Sequence, residues 1–233
     1  MKLSILIPVY NEEQTLAAVL DRVLEVDLGV EKEIIVVDDA STDGTSRILE
    51  DYEGRVGVLR HERNRGKGAA MRTALAAATG DYIVPQDADL EYEPGDLAHM
   101  LEVVRTKGQR IVYGSRRLHR ENRQYSAVSF YLGGLLVTLV TNLLYRLRLT
   151  DEPTCYKLIE RRLIERMDLE CERFEFCPEV TAKAARMGVP IVEVPILYRP
   201  RPLSQGKKIR ARDGWEAITT LIRYLTWRPR GSA

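Results

Sequence analysis

Short apolar runs alternate with helical stripes along the first half of this 233-residue chain. Leu3-Ser4-Ile5-Leu6-Ile7-Pro8-Val9 reads as a buried strand, because a strand covered on both faces is apolar nearly throughout. Asn11 then stands as a helix cap with Gln14 in capping-box register, and Leu16, Val19, Leu20, Val23 and Leu24 form the stripe of the helix that follows. Glu33 to Val37 predicts a second strand running into Asp38-Asp39, and Ser41-Thr42-Asp43-Gly44 turns the chain into another helix capped by a hydroxyl or carboxylate. Val56 to Leu59 predicts a short third strand. Asn64-Arg65-Gly66-Lys67-Gly68 opens an alanine-rich helix that Gly80 is expected to end. Tyr82 to Pro85 is a fourth strand, Pro94 starts a helix at its favoured first position, Gly108 closes it, and Ile111-Val112-Tyr113 is a fifth strand.

Strands alternating with helices in this way describe an α/β protein with a Rossmann-like, doubly wound, mostly parallel sheet. Past residue 115 the pattern changes to helical material, an uncharged segment over 126–145, and a late strand from Ile191 to Leu197, all expected to cover the sheet. No linker or internal repeat interrupts the chain, so residues 1–230 are expected to form one domain, with a front half (1–115) and a back half (116–230). In such sheets ligands bind beyond the carboxyl ends of the strands. Those ends carry Tyr10-Asn11-Glu12, Asp38-Asp39 and Asp87-Ala88-Asp89-Leu90-Glu91.

The last of these is the most informative. Carboxylates crowded at a strand end repel one another unless a positive charge sits between them, and a hard divalent cation that also grips a diphosphate suits that position. Alternation in an extended segment would put Asp87, Asp89 and Glu91 on one side, converging on Mg2+ or Mn2+. The plainer alternative is an acidic turn capping the next helix. Asp38-Asp39 can accept hydrogen bonds from a base or ribose, or merely cap a helix. Tyr10 can stack on a base and Glu12 can bind ribose, or both can be incidental. The glycine-rich turn is not a Walker A motif, yet it would let Lys67 approach a phosphate; a plain turn is the alternative.

Composition narrows the field. Hydrophobic residues make up 45% and charged residues 30%, as in an ordinary globular protein, and the net charge of +1 argues against a nucleic-acid partner. The charge is unevenly spread: Arg199, Arg201, Lys207, Lys208, Arg210 and Arg212 lie close together without an acid, and Arg116, Arg117, Arg120 and Arg123 are offset by Glu121 alone. Such clusters suit phosphate partners. Cys155, Cys171 and Cys177 have neither disulfide-framework nor zinc spacing, which fits a reducing cytoplasmic setting. His61, His99 and His119 show no metal-ligand spacing, and His99 is expected to be exposed. No signal peptide is read at the N-terminus. The uncharged stretch from Ser126 to Tyr145, flanked by Arg123, Arg146 and Arg148, is read first as a helical hairpin or amphipathic pair on a membrane surface, with a buried core helix and a membrane span as alternatives.

Together these motifs resemble the inverting nucleotide-sugar glycosyltransferases of family two, and within them the polyprenyl-phosphate hexosyltransferases. The resemblance rests on Ile7-Pro8-Val9-Tyr10-Asn11-Glu12, on Val36 through Gly44, on Asn64 through Gly68, on Gln86 through Tyr92, and on Tyr113-Gly114-Ser115-Arg116. Later elements extend it: Thr150-Asp151 through Lys157, Phe174-Glu175-Phe176 with Glu179, and Gly206-Lys207-Lys208. It implies a GT-A type fold with peripheral membrane-facing helices. It further implies that Pro8, Tyr10, Asn11, Glu12, Asp38, Asp39, Lys67, Asp87 and Ala88 line a nucleotide sugar. Asp87, Asp89 and Glu91 would hold Mg2+ or Mn2+, although some relatives have glutamine in place of Glu91. Arg116, Arg201 and Lys207 would receive the acceptor phosphate, with Asp89, Arg116 and Lys207 catalytic. The donor stays open between GDP-mannose and UDP-glucose, and the oligomeric state is unread. Two other functions remain in view: transfer to a saccharide or small-molecule hydroxyl, which needs a general base near Asp151 or Glu179, and a non-catalytic nucleotide-binding membrane scaffold.

Overall fold

A computed structural model of the chain describes residues 1–122, 127–201 and 211–229. Its framework is a seven-stranded sheet in the order β3-β2-β1-β4-β6-β5-β7. Strands β1 (Lys2–Val9), β2 (Glu31–Asp38), β3 (Gly57–Arg60) and β4 (Tyr82–Pro85) run parallel, as do β5 (Ile111–Ser115) and β7 (Val192–Pro195). β6 (Lys157–Glu160) runs antiparallel between β4 and β5. The late chain therefore contributes two strands to the sheet as well as covering it, a correction to the single late strand expected from the sequence.

The apolar strands are buried because each face has its own core. Ile5, Ile7 and Val9 pack under α1 (Leu16–Glu25), α2 (Thr45–Glu50) and α4 (Asp96–Lys107) with Leu20, Leu49 and Leu101. Leu6, Ile35, Val37 and Ile83 face α3 (Lys67–Ala77), α6 (Arg161–Glu165) and α7 (Phe176–Arg186), with Met71, Leu163 and Val180. The chain winds outward from β1 in one direction to β3, then restarts on its other side at β4. That reversal opens a crevice at the carboxyl ends of β1 and β4. Register aligns the rim: Val9 pairs with Asp38, and Pro85 lies level with Leu6, so Gln86 to Asp89 run beside the end of β1.

Three local expectations change. Asn11 does not cap α1: it has φ +50°, its Oδ1 accepts the Thr42 N–H at 2.8 Å, and the helix begins only at Leu16. Gly80 does not end α3, which stops at Ala77; a Cβ at Gly80 would sit 2.6 Å from Ser4 Oγ, so its role is close approach to β1. Pro94 precedes α4, accepting the Leu97 N–H, and the helix starts at Asp96. Gly108 does close α4, at φ +62°.

The uncharged segment is one continuous 18-residue helix, α5 (Val128–Tyr145), so the hairpin is overturned. Gly133-Gly134 sits inside it without a break, and a Cβ at Gly134 would come 3.1 Å from Arg117 Nη2, so the missing side chain lets the helix approach that arginine. Val137, Thr138 and Thr141 are buried, Val137 against Ala182 of α7 and Leu221 of α8 (Ala211–Arg223), and Thr138 where its Oγ1 accepts the Glu152 N–H at 3.1 Å. The opposite stripe, Val128, Leu132, Leu136, Leu139 and Leu143, is more than half exposed at every position. A buried core helix is therefore not what the segment forms. By length and composition it is the one helix, among the described residues, able to cross a membrane.

Candidate active site

Three turns at the crevice carry left-handed residues that are not glycine: Asn11 (φ +50°), Ala40 (φ +61°) and Leu90 (φ +60°). Such conformations are costly and gather where function demands them. Here they turn the chain sharply just past β1, β2 and β4 and stack three polar loops on one rim. The Asn11 backbone N–H donates to Ser41 Oγ at 3.0 Å, and the Glu12 N–H to Thr45 Oγ1 at 2.9 Å. Thr15 Oγ1 reaches across to the Ala88 carbonyl at 2.6 Å. Pro8 and Tyr10 are half-buried beside them.

Asp38 and Asp39 are buried and work inside the protein. Asp38 accepts the Ser41 N–H at 3.0 Å and the Ser46 hydroxyl at 2.6 Å, so it ties down the turn after β2 rather than capping α2, whose N-cap is Gly44. Asp39 accepts the Arg65 and Gly66 N–H groups at 2.9 and 2.7 Å, and His61 Nδ1 lies 2.6 Å from its Oδ1. His61 in turn reaches Thr73 Oγ1 at 2.9 Å through Nε2. The carboxylate thus pins the glycine-rich loop to the end of β2. Sequence reasoning set His61 aside because it looked only for metal spacing. The glycines of that loop serve packing: at φ +92°, a Cβ on Gly66 would lie 2.3 Å from the Glu172 carbonyl oxygen, and one on Gly68 2.9 Å from carbonyls at Cys171 and Arg173.

Lys67, placed by that loop at the start of α3, forms an ion pair with Asp87 and lies 3.8 Å from Cys155 Sγ. Burial would lower its pKa, but Asp87 prevails and keeps the ammonium firmly charged. The acidic segment is not extended: it turns at Ala88-Asp89, and Asp89 Oδ1 accepts the Glu91 N–H at 3.1 Å. The three carboxylates consequently diverge, a correction to the alternation argument. Asp89 Oδ2 meets Arg201 Nη2 at 3.2 Å. Glu91 takes the Tyr198 hydroxyl at 2.6 Å and the Arg201 N–H at 2.8 Å on its two oxygens. Among the described residues no group of three His, Cys, Asp or Glu side chains stands in metal-binding array. Asp89 nonetheless remains short of positive charge: burial first, then the charges of Asp87 and Glu91, push its carboxyl up to about 7 despite Arg201.

Arg116 closes the far side. Its Nε and Nη2 grip fully buried Asp151 at 2.7 Å each, its own N–H adds a bond at 2.9 Å, and its guanidinium stacks 5.0 Å from the Tyr198 ring. Burial pulls the Asp151 pKa upward, but Arg116 wins and holds it below the usual carboxylate range. Glu179, equally buried, accepts the Glu170 and Cys171 N–H groups at 2.8 Å and Lys183 Nζ at 2.5 Å. His99 is exposed, as expected. Lys207, Lys208, Arg210 and Arg123 lie outside the described residues.

A mixed α/β sheet with polar loops stacked at the switch between its first and fourth strands is the GT-A architecture of sugar-nucleotide transferases, and the chain belongs to glycosyl transferase family 2, whose profile matches residues 4–167. It is similar to the undecaprenyl-phosphate mannosyltransferase of Micrococcus luteus, 32% identical over 96% of this chain and 94% of that one. It is also similar to the dolichol-phosphate mannosyltransferase of Pyrococcus furiosus, 27% identical over 97% of this chain but only 64% of the relative. Among solved structures, glucosyl-3-phosphoglycerate synthase from Mycobacterium tuberculosis, in complex with Mn2+, UDP and phosphoglyceric acid, matches with a TM-score of 0.71 at 23% identity, over 99% of this chain and 80% of that one. S. aureus TarS in complex with UDP-GlcNAc matches with a TM-score of 0.66 at 18% identity, over 96% and 66%. These two structural likenesses speak for the fold.

Proposed function

We propose that the chain moves a hexose from a nucleotide-diphosphate sugar to a polyprenyl phosphate, with inversion at the anomeric carbon, at the cytoplasmic face of a membrane. The observation that carries this reading is the meeting of two unlike features: a charged crevice at the β1–β4 switch, where Arg116 stacks on the Tyr198 ring, and the exposed apolar helix α5, against which the next residue, Arg117, packs at Tyr131. The Micrococcus relative, matched over 94% of its length and named for undecaprenyl phosphate, supports a lipid-phosphate acceptor.

The donor would lie across Pro8, Tyr10, Asn11 and Glu12, against Lys67, Asp87 and Ala88. Asp38 and Asp39 shape this floor through the loops they pin. The donor set at Asp89, carboxylate oxygens deficient in positive charge, fits a hard divalent cation. When bound there with Asp87 nearby, Mg2+ or Mn2+ would neutralise charge on the leaving diphosphate. Glu91, with both oxygens on the 198–201 segment, is a poorer ligand. Lys67 contributes a fixed ammonium beside Asp87. Asp151 takes the Nε and Nη2 edge of Arg116 and so orients the guanidinium, whose Nη1 would meet the acceptor phosphate. Lys207 is assigned to the same phosphate by family resemblance.

A lipid monophosphate, with a second pKa near 6, is largely dianionic at neutral pH and needs no strong base. Positioning and charge stabilisation then suffice. The engagement of Asp151 by Arg116, and of Glu179 by Lys183 and two backbone N–H groups, weighs against a hydroxyl acceptor served by either. The exposed stripe of α5, with Trp215 and Ile222 on adjacent α8 and exposed Arg146 and Arg148 beyond α5, suits an anionic lipid surface. The test is a screen of labelled GDP-mannose, UDP-glucose and UDP-N-acetylglucosamine with a short polyprenyl phosphate. Label entering the organic phase from one donor is expected; label remaining aqueous with all three would defeat the reading.

A further inference from the structure

We propose that Arg201 is the resting counter-ion of the acidic rim: it holds Asp89 until a donor-borne divalent cation takes that carboxylate over, and the 196–201 strap senses the donor through this exchange. The inference rests on the sugar-nucleotide reading of the site.

Three observations meet here. Arg201 forks onto Glu12, Nη1 to Oε2 at 3.0 Å and Nη2 to Oε1 at 3.3 Å, while Nη2 also meets Asp89 at 3.2 Å. One guanidinium so ties the loop after β1 to the loop after β4 across the crevice mouth. Its Nε, by contrast, is buried with no hydrogen-bond partner among the described residues. A guanidinium at its final destination would not leave a buried donor unused; this one retains an N–H for an oxygen still to arrive. The strap's backbone, thirdly, is anchored independently of the Arg201 side chain. Glu91 receives the Arg199 N–H on its carbonyl at 2.9 Å, the Arg201 N–H on Oε1 at 2.8 Å and the Tyr198 hydroxyl on Oε2 at 2.6 Å. Tyr198 is further held between Arg116, at 5.0 Å, and the Tyr92 ring, at 5.5 Å.

A divalent cation and a guanidinium sharing Asp89 repel each other. Metal arrival therefore displaces the Arg201 side chain while Glu91 keeps it within reach. Released, its planar fork matches a phosphate oxygen pair. Arg201 is thus a positioning residue that partly offsets the negative charge of the rim without the donor, and Glu91 is the anchor of its strap.

The test titrates Mn2+ into the full chain without nucleotide and reads free Mn2+ by electron paramagnetic resonance. Arg201→Met should bind Mn2+ about tenfold or more tighter than the wild type, since a competing cation is gone, and Arg201→Lys, which keeps the charge, should stay near the wild type. Equal or weaker Mn2+ binding by Arg201→Met overturns the proposal. Should that variant fail to fold, NMR of the arginine Nε–H groups in the wild type decides: the Arg201 Nε–H signal should shift with Mg2+ plus UDP or GDP, and not with the same nucleotide in EDTA, while the Arg199 and Arg201 amides held by Glu91 stay protected. An unshifted Nε–H signal overturns it as well. If the wild type binds neither UDP nor GDP with Mn2+, the sugar-nucleotide reading itself falls. If it binds one of them but Arg201→Met gains no Mn2+ affinity, only the strap inference falls.

Discussion

The two ends of the sheet treat carboxylates in opposite ways. At the amino end of the strands, Glu33 takes the Ser4 hydroxyl at 2.5 Å, the Thr79 N–H at 2.6 Å and hydroxyl at 2.7 Å, and the Lys2 ammonium at 2.9 Å. Burial works against its charged form, yet these partners prevail and the carboxyl falls to about 2. At the carboxyl end, Asp89 sits among Asp87, Glu91 and Glu12 with one arginine spread over two of the four, and its carboxyl rises to about 7. A satisfied carboxylate fastens strands together. An under-compensated one, on a rim built from strained turns, is poised for a ligand that brings positive charge.

The difference can be broken from either end. At the rim, Asp89→Asn should lower label transfer by about 10²–10³-fold or more while the urea midpoint stays near that of the wild type; a variant that keeps turning over would place the chemistry elsewhere. At the opposite end, Glu33→Gln should leave transfer intact but cost up to about 3 kcal/mol near pH 7. The sign follows from the depressed pKa: Glu33 stabilises the fold above its ordinary value near 4.5, and that contribution is lost as pH falls through about 2. The stability gap between variant and wild type should thus close on acidification, and a gap independent of pH would refute the network. On the back half, Leu132→Glu with Leu139→Glu changes positions already 56% exposed, so stability should move by no more than about 0.5 kcal/mol per site. Flotation with anionic vesicles should nonetheless weaken about tenfold or more; equal flotation would remove α5 from the lipid surface. The smallest effect is expected at His61. Its replacement by Ala loosens the clasp between Asp39 and the glycine-rich loop, costing about 1 kcal/mol and raising the donor KM several-fold with kcat less changed.

Much of the front half was legible because parallel, doubly covered strands are apolar runs with polar ends. The run from Tyr82 to Pro85 is the observed β4 without adjustment, and Gly108 ends α4 where its freedom at positive φ is needed. The acidic motif was legible as a site but not as a geometry. Nothing in Leu90 announces a φ of +60°, and that turn sends Glu91 away from Asp89. The partners that define the site are far apart in sequence: Arg201 and Asp89 are 112 residues apart, and His61 and Asp39 are 22 apart. Periodicity reports burial, not which distant side chain will answer a charge. β6 escaped notice because its four residues run straight into α6 with no turn residue between them. In α5 the uncharged stretch was read first as a hairpin or amphipathic pair, whereas it forms one continuous helix in which Gly134 packs close beside Arg117 and Pro153.

The central claim is that Asp89, with a divalent cation, steadies the departing nucleoside diphosphate while a lipid phosphate attacks. The most direct measurement is the initial rate at which labelled sugar passes from its nucleotide into the organic phase, first with Mn2+ or Mg2+ and then after excess EDTA. The account predicts that transfer collapses in chelator and returns when metal is restored; an undiminished rate in EDTA would contradict it.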